Sequence, residues 1–127
     1  MVPTDRRYTK EHEWILIEGG VATIGITDFA QDQLGDIVYV EVPEVGSEVS
    51  RGDVMGTIES VKAVSEVFAP VGGKVTEVNE NLDAAPETLN GDPHGAGWYC
   101  KMEIGNAGEI EELLDSAAYE ALVASSS

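Results

Sequence analysis

The stretch GTIESVKAVSEVFAP, residues 56–70, contains two runs of alternating apolar and polar residues that meet at residues 60–63. Such alternation predicts two antiparallel β-strands joined by a tight turn. The turn, Ser60-Val61-Lys62-Ala63, has none of the Gly, Asn, Asp or Pro residues that tight hairpin turns favour. The sequence therefore predicts a hairpin with a lysine at its tip, and local turn chemistry does not explain why Val61 and Lys62 stand there.

The segments on both sides of this hairpin also read as strands. A Gly19-Gly20 turn joins two of them, and a short helix follows with Asp28 as its N-cap, Gln31 three residues later and Gly35 at its end. The segment 44–53 is predicted to be a loop or short edge strand, and 79–97 a long loop with one helical turn near 86–89. We predict the hairpin arms over 54–60 and 63–69, and further strands over 14–18, 21–26, 36–42, 74–78 and 98–104.

The C-terminal part of the chain has helical rather than strand periodicity. Asn106 is a candidate N-cap, and acidic residues follow it in the first turn. We predict one amphipathic helix over residues 107–123 and frayed ends at 1–7 and 124–127. The apolar positions at helical spacing are Ile110, Leu113, Leu114, Ala117, Ala121 and Leu122.

Many short strands at close spacing, with helices at the margins, predict a mainly β sandwich or barrel. The length of 127 residues fits a single domain over residues 1–127. Cys100 is the only cysteine, so no intrachain disulfide can form, and its place in an alternating strand predicts a buried, inert thiol.

The charge of the chain excludes some classes of partner. It contains 24 acidic and 7 basic residues, a formal net charge of −17. A field of this sign repels nucleic acids and anionic lipid surfaces and favours basic protein partners. No apolar run is long enough to span a bilayer, and the N-terminus has no apolar core of a signal peptide. We expect a cytoplasmic bacterial protein, or one of the mitochondrial matrix if the chain is a processed eukaryotic form.

Motifs of enzymes are missing from the sequence. His12 and His94 are its only histidines, and it contains no phosphate loop, dinucleotide-binding glycine pattern or nucleophile elbow. We therefore expect no catalytic residues and no metal site.

Lys62 remains as the candidate functional residue. A lysine at a hairpin tip can simply be solvated, but the tip also exposes the side chain to a modifying enzyme from all sides. Acylation of the amine would remove its charge and leave a neutral tether of the kind that cofactor carriers use.

The sequence around Lys62 resembles the lipoylation site of the glycine cleavage H-protein family. The resemblance covers roughly residues 8–122, and several blocks in the right order are far more specific than one pentapeptide. The matching blocks are Glu59-Ser60-Val61-Lys62-Ala63, YTKEHEW at 8–14, GITDFAQ at 25–31, LGD at 34–36, VPEVG at 42–46, APV at 69–71, Val78-Asn79, Asp92-Pro93 and Gly97-Trp98.

This resemblance implies a barrel-sandwich hybrid of small antiparallel sheets, with lipoate in amide linkage on Lys62. It implies a carrier and no enzyme, acting as a monomer. Its partners would be the pyridoxal-phosphate-dependent glycine decarboxylase, the aminomethyltransferase, dihydrolipoamide dehydrogenase and a lipoylating enzyme. The residues that the lipoylating enzyme would recognise are Glu59, Ser60, Val61 and Ala63.

The resemblance also implies a surface cleft that shelters the aminomethyl cargo. A carboxylate there would pair with the ammonium of the cargo, and partial burial would strengthen the pair. Glu13 is the first candidate by its matching position, and Glu66 is the second.

Other readings remain open at this point. Lipoyl domains of 2-oxo acid dehydrogenases usually have Asp directly before the lysine, where this chain has Val61, and biotin carriers have flanking methionines. A lipoyl-relay protein and an interaction module without lipoate are further alternatives.

Overall fold

The structure is a computed structural model that describes residues 2–126. It consists of two antiparallel sheets with short helices, which confirms the predicted barrel-sandwich hybrid. The larger sheet has the order β1-β2-β3-β9-β8-β5 and the smaller has the order β4-β6-β7. The strands are β1 (Arg7–Tyr8), β2 (Glu13–Glu18), β3 (Val21–Ile26), β4 (Ile37–Glu41), β5 (Glu48–Val49), β6 (Val54–Ser60), β7 (Val64–Phe68), β8 (Gly73–Val78) and β9 (Cys100–Ile104).

The main core lies between the two sheets, because alternate residues of each strand point inward. Cys100 and Met102 of β9 are both buried, as the alternation predicts. Burial raises the pKa of the Cys100 thiol to about 12, so at neutral pH the thiol stays protonated and unreactive. The largest aliphatic members of this core include Ile15, Ile24, Ile58, Val67, Val71, Leu82 and Leu89.

The short internal helix α1 (Asp28–Leu34) begins one residue earlier than predicted. Its N-cap is Thr27 rather than Asp28, since the Thr27 hydroxyl accepts the backbone N–H of Ala30. The helix ends at Gly35 as predicted, and Gly35 adopts a positive φ of 78°, which favours glycine. The predicted single turn near 86–89 is in fact two short helices, α2 (Asn81–Ala84) and α3 (Thr88–Gly91).

The prediction of one continuous helix over 107–123 is wrong. A 3-10 helix, Ala107–Glu112, comes first, and helix α4 covers Ser116–Ser126. Between them Leu114 pairs with Tyr8 through two backbone hydrogen bonds of 2.8 Å, which an uninterrupted helix would not allow. The carboxylate of Asp115 then accepts the N–H of Ala118 and starts α4 anew. Backbone pairing and capping thus override the periodicity of the apolar residues.

Regular structure extends into both of the segments that were predicted to fray. Arg7 lies in β1, a strand that the sequence did not indicate, and α4 continues to Ser126. Fraying at residues 1–7 and 124–127 stays a prediction, and Met1 and Ser127 lie outside the described residues. No helix within residues 2–126 has the length and apolar character needed to cross a bilayer.

A second, aromatic cluster attaches α4 to the larger sheet. Tyr8, Trp14 and Tyr119 are fully or almost fully buried, and the rings of Tyr8 and Tyr119 stack with centroids 4.6 Å apart. Gly25 lies opposite Trp14 in the register of β2 and β3, and a Cβ there would come within 2.5 Å of the Trp14 ring. The indole therefore occupies the space that a side chain at position 25 would need.

Candidate functional site

The predicted hairpin is formed by β6 and β7, and its last paired rung joins Glu59 to Val64. The backbone N–H of Ser60 donates to the carbonyl of Ala63 at 2.8 Å. The Ser60 hydroxyl oxygen accepts the N–H of Ala63 at 3.0 Å and that of Lys62 at 3.4 Å. Ser60 thus forms a side-chain-stabilised turn, and this is how the tip turns without glycine or asparagine.

The tip is also attached to the segment that follows α1. The backbone N–H of Val61 donates to the carbonyl of Asp36 at 3.0 Å. A Cβ placed on Gly35 would lie 3.4 Å from Cε of Lys62, so the lysine stem runs beside a residue that has no side chain. The hairpin tip therefore has a second support besides its own two strands.

Asn90 of α3 holds this second support in place. Its amide nitrogen donates to the carbonyl of Gly35 at 2.8 Å and to the side-chain oxygen of Gln31 at 2.9 Å. Its amide oxygen accepts the N–H of Ile37 at 2.9 Å. Because Asn90 is bonded on both sides of Asp36, the backbone that receives Val61 is fixed in position.

Lys62 itself is exposed, as are its neighbours Val61, at 71% of full exposure, and Ala63. Among residues 2–126 no ion pair involves the Lys62 amine. The structure brings Glu59, Ser60, Val61 and Ala63 together around the lysine. The arrangement presents one primary amine on a rigid, accessible base.

Glu13 has a different environment, since its side chain is almost completely buried at 2% exposure. Oε1 accepts the Thr9 hydroxyl at 2.8 Å, and Oε2 accepts the backbone N–H of Phe68 at 3.0 Å. Burial raises the pKa of the Glu13 carboxyl to about 7, although both hydrogen bonds act in the opposite direction. A carboxylate has about four acceptor positions, so Glu13 can still receive further hydrogen bonds.

Glu13 lies at the wall of a groove of about 550 Å³, which we call the Glu13 groove. Its apolar surface comes from the end of β7 and from the Leu113–Leu114 segment, and several charged side chains also line it. The residues that line it are Tyr8, Thr9, Lys10, Glu11, Glu13, Arg51, Gly52, Phe68, Ala69, Pro70, Glu112, Leu113 and Leu114. A groove with one buried carboxylate and apolar walls suits a small cationic group on an apolar stem.

Glu66 is exposed and does not line this groove. It stands on β7 between Val64 and Phe68, and alternation along the strand puts these three side chains on one face. That face leads from the hairpin tip to the Glu13 groove, over roughly 13 Å along the strand from residue 64 to residue 68. The structure therefore separates the two candidate carboxylates, with Glu13 in the groove and Glu66 on the way to it.

Several contributors could not be found from the sequence. The Thr9 hydroxyl acts through a hydrogen bond to a side chain 4 residues away. The Asn90 amide acts through hydrogen bonds to groups 53 to 59 residues away in the chain. Tyr119 lies outside the predicted apolar face of the C-terminal segment, yet its hydroxyl contacts Nδ1 of His12 at 2.8 Å and the Thr27 hydroxyl at 2.6 Å. Within residues 2–126 no cluster of three or more His, Cys, Asp or Glu side chains could hold a metal ion.

Comparison with known proteins gives a consistent result. The family model described as "Glycine cleavage H-protein" matches residues 6–126. The glycine cleavage system H protein of Beutenbergia cavernae is 59% identical over 121 residues, covering 95% of each chain. That of Thermotoga maritima is 59% identical over 115 residues, covering 91% of this chain and 93% of the relative. The crystal structure of a glycine cleavage system H protein from Mycobacterium marinum superposes with a TM-score of 0.90 at 40% identity, over 97% of this chain and 99% of the other.

Proposed function

This chain belongs to the glycine cleavage H-protein family, and on that premise we propose that Lys62 is the residue to which its lipoyl group is attached. The protein is a lipoyl carrier of the glycine cleavage system, a cofactor-bearing component and not a catalyst. The observation that carries the assignment of Lys62 is its place at the tip of a hairpin that Ser60 closes and Asp36 supports.

The surroundings of Lys62 fit a lipoyl amide. The amine is exposed and belongs to no ion pair among the described residues, so acylation would cost no existing charge interaction. The stem passes Gly35, where no side chain restricts it. When bound, lipoate supplies sulfur atoms that take up and release the one-carbon cargo.

The residues of the chain would then have three tasks. Ser60 and Asp36 hold the base of the arm, and the exposed neighbours Val61 and Ala63 leave it open to the lipoylating enzyme. The Glu13 groove would shelter the cargo, because its buried carboxylate can pair with an ammonium while its apolar wall can contact the arm. Glu66 would guide the cation along the face of β7 as an exposed carboxylate.

Partners of the carrier are those of the glycine cleavage system. We propose that glycine decarboxylase, the aminomethyltransferase and dihydrolipoamide dehydrogenase visit the arm in turn, and that a lipoylating enzyme acts on Lys62 before them. The net charge of −17 supports fast, weak encounters with basic surfaces. Since the relatives named above are bacterial, we place the protein in the bacterial cytoplasm.

Intact-mass and peptide analysis tests the attachment site. The protein is produced in a lipoylating host supplied with lipoate, next to Lys62→Arg and to Lys74→Arg, which changes another exposed lysine. We expect one lipoyl amide on the peptide that contains Lys62, its loss in Lys62→Arg and its persistence in Lys74→Arg. An unmodified Lys62 would overturn the assignment. If Lys62 is lipoylated, a reconstituted glycine decarboxylation assay separates a role in glycine cleavage from a lipoyl relay.

A further inference from the structure

We propose that Thr9 is a positioning residue for the cargo site: its hydroxyl holds the Glu13 carboxylate in the orientation and charge state that receive a cation in the groove. This inference rests on the proposed role of Glu13. Thr9 lies at the start of the loop between β1 and β2, and both Thr9 and Glu13 line the groove.

All hydrogen-bonding positions of the Thr9 hydroxyl are occupied by neighbouring groups. Its oxygen accepts the backbone N–H groups of Glu11 and Glu13, both at 3.2 Å. Its two lone pairs are thereby used, and its single proton points to Oε1 of Glu13 at 2.8 Å. The direction of this hydrogen bond is therefore fixed as Thr9 to Glu13.

This fixed direction disfavours a proton on the Glu13 carboxyl. A proton on either oxygen would neutralise the charge that the Thr9 hydroxyl and the backbone N–H of Phe68 stabilise through their hydrogen bonds. Both donors thus favour the ionised carboxylate against the effect of burial. Because the Phe68 donor is a backbone N–H, the Thr9 hydroxyl is the donor that a side-chain substitution can remove.

The orientation of the carboxylate matters as much as its charge. With one acceptor position of each oxygen occupied, the remaining positions are free for a donor that enters the groove. Without Thr9 the Glu13 side chain could rotate about its last torsion, which has a broad energy minimum.

Other charged groups on the groove are Lys10, Glu11, Arg51 and Glu112, and Glu66 lies on the adjoining face of β7. Arg51 is paired with Glu112 at 2.5 Å.

Two variants separate the hydroxyl from the shape of the side chain. Thr9→Val keeps the branched shape and removes the donor, while Thr9→Ser keeps the donor. The Glu13 carboxyl is followed by ¹³C NMR through a pH titration of the intact protein, which needs no lipoate. We expect the midpoint to rise by about one pH unit in Thr9→Val and to stay near that of the unchanged protein in Thr9→Ser. An equal midpoint in all three proteins would overturn the inference.

The lifetime of the aminomethyl cargo on the lipoylated protein gives the second measurement. In Thr9→Val it should shorten at neutral pH and recover as the pH is raised, because the carboxylate forms again, whereas Glu13→Ala should not recover. If the cargo lifetime shortens in Glu13→Ala but is unchanged in Thr9→Val, the role of Thr9 is contradicted and that of Glu13 is not. No change in Glu13→Ala would contradict the cargo site itself, and a Thr9→Val lifetime that stays short at every pH would indicate only structural damage. If Thr9→Val does not fold, Thr9→Cys, with its weak S–H donor, replaces it and should give an intermediate midpoint.

Discussion

The hydroxyl oxygen of Ser60 accepts the backbone N–H of Ala63 at 3.0 Å, and this contact closes the turn that presents Lys62. Ser60→Ala should therefore destabilise the protein by about 1 kcal/mol, the net value of one hydrogen bond. It should also speed amide hydrogen exchange at Ala63, as measured by NMR, while Ser60→Thr keeps the hydroxyl and the slow exchange. Unchanged exchange at Ala63 in Ser60→Ala would show that the strands alone hold the turn.

Gly35 should be required for access to Lys62. Gly35→Ala places a methyl group 3.4 Å from Cε of Lys62 at a φ of 78°, where a side chain costs about 1–3 kcal/mol. Gly46→Ala is the matched control, since it has a similar φ of 93° but open space around it. Both variants should lose stability in denaturant, and only Gly35→Ala should lower the fraction of Lys62 that becomes lipoylated. Equal lipoylation in the two would argue against crowding of the stem.

Glu13 should make the stability depend on pH. Its pKa is raised by burial from 4.5 to about 7, so the folded protein binds a proton that the unfolded chain releases between these values. The contribution of Glu13 to the free energy of unfolding should therefore be fully present below pH 4.5 and fall by about 3 kcal/mol as the pH rises through 7. Glu13→Gln, which cannot ionise, should lack this component. Parallel pH curves of the two proteins in urea would contradict the raised pKa.

Glu13→Ala should leave lipoylation of Lys62 intact but shorten the lifetime of the aminomethyl cargo. The reason is that the variant removes the buried carboxylate while the hairpin tip, far along β7, is untouched. Glu66→Ala serves as the comparison, because Glu66 is exposed and outside the groove, and it should have a smaller effect. The idea is abandoned if the cargo survives equally long on Glu13→Ala and the unchanged protein.

Tyr119 should link the C-terminal helix to the β1–β2 loop. Tyr119→Phe keeps the stack on Tyr8 but removes the hydroxyl that contacts His12 and Thr27, which should cost about 1–3 kcal/mol. Tyr39→Phe, at a half-exposed position, should change the free energy of unfolding by less than about 0.5 kcal/mol. Equal effects of the two substitutions in urea unfolding would show that the hydroxyl contacts are energetically minor.

The sequence predicted those parts of the fold that depend on neighbours in the chain. Strand β6 has the predicted bounds, Val54–Ser60, because its alternation is regular, and the predicted Gly19-Gly20 turn forms with positive φ at both residues. The C-terminal segment was predicted as one helix because Leu114 fits helical spacing equally well. Its pairing with Tyr8, at the other end of the chain, decides its conformation and leaves no local signal.

The same distinction applies to the site. The hairpin pattern already pointed to Lys62, and the resemblance added Glu13. No spacing rule reveals that Phe68 and Thr9 each donate to one oxygen of the Glu13 carboxylate. Nor does one reveal that Asn90 bonds on both sides of Asp36. Hydrogen bonds between distant segments depend on the finished packing of the sheets. The chemistry of the groove therefore became visible only in the three-dimensional structure.

The hydrogen bond from Val61 to Asp36 fixes the base of the arm, so the cargo stays near the Glu13 groove. The affinity that the groove needs for the cargo is therefore low. A group on a short tether meets reachable sites at an effective concentration on the order of millimolar. A groove with a Kd near that value would already hold the cargo for about half the time. If the Glu13 groove bound much more tightly, the cargo would seldom be offered to an enzyme. A carrier with a fixed attachment point therefore works best with a weak shelter.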